Sequence, residues 1–132
     1  MVRKIALMAV ACLLLVISGC GGGSGSSEKG GPLAGTWIGS AKGVMYTIKI
    51  SGPGNSYSSS WKTSNNCFTS TSGSAVHFNN DVSILGSGYD AGEDQYVIPD
   101  IIGEYDGANT ISGTLHAITC GVPERTPIVL TR

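Results

Sequence analysis

The sequence is poor in charge and in aromatic side chains, and these shortages narrow the classes of function open to it. Charged residues make up 13% of the chain and aromatic residues 7%, with eight basic residues against nine acidic ones. There is no basic cluster, which argues against nucleic acid as a partner and against electrostatic attachment to an anionic membrane surface. No stretch carries a helical period of useful length, so no amphipathic helix is available to lie on a bilayer. Despite many serines, the G-x-S-x-G elbow of a serine hydrolase is missing. The one formal S-x-x-K match joins Ser59 to Lys62. Enzymes that use this spacing carry it on a helix, whereas here it falls in a strand, where the two side chains point to opposite faces. His77 and His116 sit in strand-like contexts with no acid partner nearby, and neighbouring hydroxyls are expected to satisfy them. These absences point to a non-enzymatic protein without a cofactor.

Only one long apolar run is present. It extends from Ile5 to Ile17, follows Arg3 and Lys4, and gives way to the small residues Ser18 and Gly19. That order is an export signal, and the run is well short of the roughly twenty residues that a spanning helix needs. Its tail, "ISGC", resembles the lipobox of bacterial lipoproteins. In that class the cysteine sulfur is acylated and the cysteine becomes the first residue of the mature chain. The resemblance implies a signal peptide over residues 1–19 and a lipid anchor on Cys20. Gly21, in place of an aspartate after the cysteine, implies the outer membrane of a diderm cell, facing the periplasm or the cell surface. A cleaved signal that leaves an unmodified Cys20 is the alternative. The residues that follow, "GGGSGSSEKGGP", have nothing apolar to bury, and residues 20–32 read as a linker spanning about 20 Å.

From Leu33 onward there is material for one domain of about a hundred residues. Without Arg3 and Lys4, six basic residues face nine acidic ones, for a formal charge of about minus three. Cys12 leaves with the signal and Cys20 takes the lipid. Cys67 and Cys120 therefore remain as an even pair in an oxidising compartment and are expected to form a disulfide. A metal site shared with the two histidines is the alternative, although neither cysteine has a second ligand at a metal-site spacing.

Period-two alternation runs through the domain. In "VMYTIKIS", Val44, Tyr46, Ile48 and Ile50 alternate with Met45, Thr47, Lys49 and Ser51, the pattern of a half-buried strand. After the turn "PGNS", "SYSSSWKT" places Tyr57 and Trp61 on one face, completing a hairpin. "AVHFN" and "DVSIL" read as two short strands around Asn79 to Asp81. "QYVIPDIIGEY" reads as a longer strand that Pro99 confines to an edge or a bulge. "TISGTLHAIT" alternates with Ile111 and Leu115 on one face, and "TPIVLTR" is the last strand. Turn residues every eight to twelve positions predict an all-β antiparallel up-and-down meander of about eight strands, closed as a barrel or folded as a two-sheet β-sandwich.

"LAGTWIG" at the first strand and "TPIVLTR" at the last resemble the lipocalin, avidin and fatty-acid-binding barrels. In that group a Gly-x-Trp opens strand one, and a basic residue of the final strand packs across the tryptophan. The resemblance implies a lipocalin-like barrel over residues 33–132, with Gly35 and Trp37 as the opening pair and Arg132 as the closing cation.

Two functions follow as expectations. One is a binding module whose barrel takes a small apolar ligand, lined by Tyr46, Tyr57, Trp61 and Phe78. The other is an envelope interaction protein or inhibitor that acts through projecting loops, with Thr63 to Ser74 and Gly86 to Gln95 as candidates. In either case the protein is expected to be a monomer held to a membrane through Cys20. The acidic stretch "YDAGEDQY" offers Asp90, Glu93 and Asp94. It lacks the spacing of a calcium loop and reads as a solvated turn with no metal.

Overall fold

The computed structural model describes residues 31–132; the signal segment, Cys20 and the linker up to residue 30 lie outside them. The strands are β1 (Gly35–Ala41), β2 (Val44–Ser51), β3 (Ser56–Thr63), β4 (Thr69–Phe78), β5 (Asp81–Leu85), β6 (Gly88–Asp90), β7 (Gln95–Val97), β8 (Asp100–Tyr105), β9 (Thr110–His116) and β10 (Thr126–Thr131). Eight of them close an antiparallel barrel in which each strand pairs with the next, β5 pairs with β8, and β1 meets β10. The fold is thus the lipocalin-like barrel and not the sandwich. β6 and β7 form a separate hairpin inserted between β5 and β8.

The alternation of apolar residues sets which side chains fill the barrel. Tyr46, Ile48 and Ile50 of β2 point inward, opposite Thr63, Trp61 and Ser59 of β3 in register. Ile111 and Leu115 of β9 lie opposite Leu130 and Thr126 of β10, and all four are buried. Trp37 and Trp61 are almost wholly buried, and Trp61 meets the rings of Tyr46 and Phe68 edge-on at 6.2 and 6.0 Å. Edge-to-face pairs of this kind add about 0.5–1.5 kcal/mol each beyond the area they bury.

β4 faces this bulk with small residues, Ser70, Gly73 and Ala75. A Cβ at Gly73 would collide with Ser59 Oγ and the Leu85 carbonyl oxygen, so glycine is required where the β3–β4 register shifts between Ser59 and Trp61. Small residues inside leave the larger ones outside. Phe78, expected to line the interior, is instead 70% exposed on the outer wall, because Ala75 faces the core and Val76 and Phe78 take the outward positions of the alternation.

Two further expectations are corrected by the strands. The stretch from Thr63 to Ser74 is a loop only as far as Phe68; from Thr69 it is β4, with the buried Ser70 in the wall. The long strand around Pro99 is two strands, β7 and β8, because proline lacks the amide N–H that a continuous ladder needs.

Candidate functional site

The barrel has two different ends. At one end emerge Gly31 and the turns β2–β3, β4–β5 and β8–β9. Gly31 N donates to the Gly52 carbonyl at 2.9 Å, His77 N to Asn55 at 3.0 Å, Tyr105 N to Asn80 at 2.8 Å and Arg132 N to Asn109 at 3.2 Å. This Gly31 end is closed by Trp37, whose Nε1 donates to the Leu33 carbonyl at 2.8 Å. The Arg132 guanidinium lies 4.6 Å from the Trp37 ring and 5.7 Å from the Tyr105 ring. It also donates to the carbonyls of Pro32 (2.7 Å), Ala34 (3.0 Å) and Ala108 (2.7 Å) and to Tyr105 Oη (2.9 Å). Gly35 has φ +145°, and a Cβ there would touch the Arg132 side chain at 3.4 Å, so the glycine of "GTW" admits both the backbone bend and the crossing arginine. The four hydrogen bonds of the arginine's terminal nitrogens all go to the protein's own end, which makes this constellation a structural seal.

The opposite end carries the loop 64–68, the β6–β7 hairpin and the loop 117–125. Cys67 and Cys120 are disulfide-bonded, with Cα atoms 5.8 Å apart, as the cysteine count predicts. Beside the disulfide is Asp90, fully buried. Its Oδ1 accepts from Gly92 N at 2.8 Å and Glu93 N at 3.1 Å, and its Oδ2 accepts from Cys120 N at 2.7 Å. Three amide donors take the place of a cation, which is how a buried carboxylate is satisfied without an ion pair. Ala91 N donates to the Cys67 carbonyl at 2.8 Å. Phe68 bridges to Asp90, and Tyr46 Oη shares a hydrogen bond of 2.9 Å with Thr119 Oγ1. Burial pushes the Tyr46 phenol above its usual value, opposed by the Thr119 hydrogen bond and reinforced by the Asp90 charge. All three loops are thereby fixed at one buried junction, with Phe68 plugging the barrel beneath it.

What the junction presents to solvent is the β6–β7 hairpin. Tyr89 and Tyr96 are cross-strand partners, 53% and 64% exposed. The Tyr96 hydroxyl bonds Ser87 Oγ at 2.7 Å, and the Tyr89 hydroxyl donates to Asp94, a contact that raises the Tyr89 pKa. Two amphipathic rings are therefore held in place on a rigid support. That is the composition of a recognition surface, large contact area at a small cost in side-chain entropy.

The other residues singled out by sequence do not assemble into sites. Asp90 is buried while Asp94 accepts from Tyr89 on the surface, so the acidic stretch is neither a solvated turn throughout nor a converging set of cation ligands. Ser59 points inward and donates to the Leu85 carbonyl at 2.7 Å, whereas Lys62 is exposed on the other face. His116 pairs with Asp100 at one end of β8, and His77 packs on Tyr105 at the other, with ring centroids 5.6 Å apart. Five residues of strand, about 16 Å, separate them. Among the described residues His77 Nδ1 has no hydrogen-bond partner, contrary to the expectation that hydroxyls satisfy it, and the ring packs edge-on against Tyr105. Tyr46, Tyr57 and Trp61 do converge in the barrel, at 0, 6 and 1% exposure, but as its filling. Depressions of the described surface open to solvent, and one of about 260 Å³, rimmed by Lys49, Lys62 and Thr71, reaches down to Trp61 and Ser70. One of about 310 Å³ is flanked by Met45, Thr47 and Lys62, and one of about 180 Å³ by Val76, Phe78 and Ile102.

The buried role of Asp90 and the tyrosine pair escaped sequence reasoning. The signal for the pair is two tyrosines placed symmetrically about the turn "AGED". No family model, curated protein or solved structure matches this chain.

Proposed function

We propose that this protein is an envelope interaction module, held to a membrane by a lipid on Cys20, that recognises another protein through the β6–β7 hairpin. The single observation that carries the reading is the pairing of a filled barrel with a braced, tyrosine-bearing hairpin. Trp37, Tyr46, Trp61 and Phe68 occupy the space a small apolar ligand would need, whereas Tyr89 and Tyr96 stand in solvent above the Cys67–Cys120 and Asp90 junction. Partner binding by a surface ordered in advance avoids part of the entropy cost of association. Blockade of another protein's active site by such a hairpin is one form this activity takes.

The test uses the full chain in its own cells, with a photo-crosslinking residue at position 96 and, as control, at position 49 on the barrel wall. A discrete adduct formed from position 96 alone, and lost when Tyr89→Ser is added, is the expected result. Absence of an adduct, together with a stoichiometric small molecule released when the folded chain is denatured in a mass spectrometer, would overturn the reading in favour of a carrier.

A further inference from the structure

We infer that the outer wall at the Gly31 end, centred on Phe78, rests on the lipid surface of the membrane that holds the chain. The inference depends on the lipid anchor at Cys20. Phe78 is 70% exposed, Val76 49% and Ile102 50%, and together with Val82, Ser83 and the exposed Asp81 at its edge they flank one shallow, mostly apolar depression. Val76 and Ile102 lie in one row across the sheet with Ser83 between them, and Phe78 is at the end of β4 where it turns into β5. Exposed apolar side chains grouped in this way mark a contact surface.

The path of the chain says what covers it. The described chain begins at Gly31, hydrogen-bonded to Gly52 in the β2–β3 turn, and Asn55 of that same turn accepts from His77, the neighbour of Phe78. The segment Cys20 to Gly30 therefore joins the barrel next to the patch. Its eleven residues reach at most about 40 Å. The barrel stays within that distance of the bilayer, and the patch lies near the point where the segment joins it. Confinement of this kind gives an effective concentration of roughly millimolar, at which a patch too weak to bind membranes alone is occupied. The contact comes from apolar side chains and not from basic ones. Asp81, Glu104 and Asp106 border this end; of its cations, Arg132 is turned onto Trp37 and Lys49 stands on β2, outside the strands β4, β5 and β8 that carry the patch. Neutral headgroups suit this border, and anionic lipid should weaken the contact. The arrangement aims the β6–β7 hairpin away from the membrane.

The experiment places the lipidated full chain on phosphatidylcholine vesicles, with a fluorophore at Asn80→Cys beside the patch or at Gln95→Cys on the hairpin. Quenching by a lipid-borne nitroxide should be several-fold stronger at position 80 than at 95. Phe78→Ser with Ile102→Ser should bring the two to parity; both residues lie on the outer wall, so the barrel survives the change. Equal, weak quenching on a chain that floats with the vesicles would overturn the proposal and leave the anchor standing. A label at 80 shielded from aqueous iodide yet untouched by the nitroxide would overturn it in favour of a protein surface, such as a second copy. A chain that carries no lipid and fails to float would overturn the anchor reading and this inference with it.

Discussion

The two ends of this barrel are closed by different physics. The Gly31 end is sealed by Arg132, spread over Trp37 and bonded to four oxygens, so its stability rests on many weak contacts that join β10 to the entry of β1 and the β8–β9 turn. The loop end is held by a covalent bond and a buried charge, Cys67–Cys120 and Asp90, which together fix three loops that have little hydrophobic core of their own. A projecting hairpin of two three-residue strands is marginal by itself. It needs rigid support, and the Cys67–Cys120 disulfide supplies it.

The largest way to break this contrast is to remove the disulfide. Cys67→Ser with Cys120→Ser should cost about 4 kcal/mol, the chain-entropy value for a loop of this length, and chemical denaturation measures it. The loss should be uneven. Amide exchange should rise first at β6, β7 and residues 117–122 while the Trp37 end keeps its protection, and a uniform rise would mean that the two ends are not independent.

Asp90→Asn is next, at about 2 kcal/mol, the scale of a buried charge-assisted hydrogen bond left unmade. The amide oxygen can still accept from Gly92 and Glu93, but its NH2 then faces the Cys120 N–H, donor against donor. Because the disulfide and Asp90 meet at Cys120, the double variant should lose less than the sum of the two changes. Full additivity would show that the carboxylate and the disulfide brace the loops separately.

At the other end, Arg132→Lys should cost about 1 kcal/mol, since an ammonium keeps part of the cation–π attraction and loses the planar fork. Quenching of Trp37 fluorescence by acrylamide should increase, and the hairpin end should not change its exchange.

These comparisons also separate what the sequence made legible from what it hid. β2, β3 and β9 were readable because large apolar residues alternate with polar ones and the large ones face inward. The sequence of β4 misleads in part for the opposite reason. Opposite Trp61 and Tyr57 the wall must be thin, so its inward residues are Ser70, Gly73 and Ala75, and its apolar residues Val76 and Phe78 point to solvent. Periodicity reports a face and not its direction, which depends on the neighbouring strand. Asp90 read as a surface acid because its partners are backbone amides, and these leave no mark in a sequence. The disulfide was found by count alone.

The smallest effect, and the cleanest comparison of the two ends under acid, concerns Asp106 in the β8–β9 turn at the Gly31 end. Its carboxylate accepts from Ala108 N at 2.8 Å and Thr110 N at 3.1 Å, and these hydrogen bonds hold its pKa below the ordinary carboxylate value. A depressed folded-state pKa means that the unfolded chain takes up the proton first as pH falls. The stability this group contributes is therefore complete above the usual carboxylate range and disappears as pH falls through the folded-state value. Wild type should exceed Asp106→Ala in stability at neutral pH, and the gap should narrow towards pH 3. The group is fully exposed, so the difference is expected to be small and should be read from denaturation midpoints measured side by side. A gap that persists unchanged in acid would mean that the turn is held by its backbone geometry alone and that the carboxylate plays no part in closing this end.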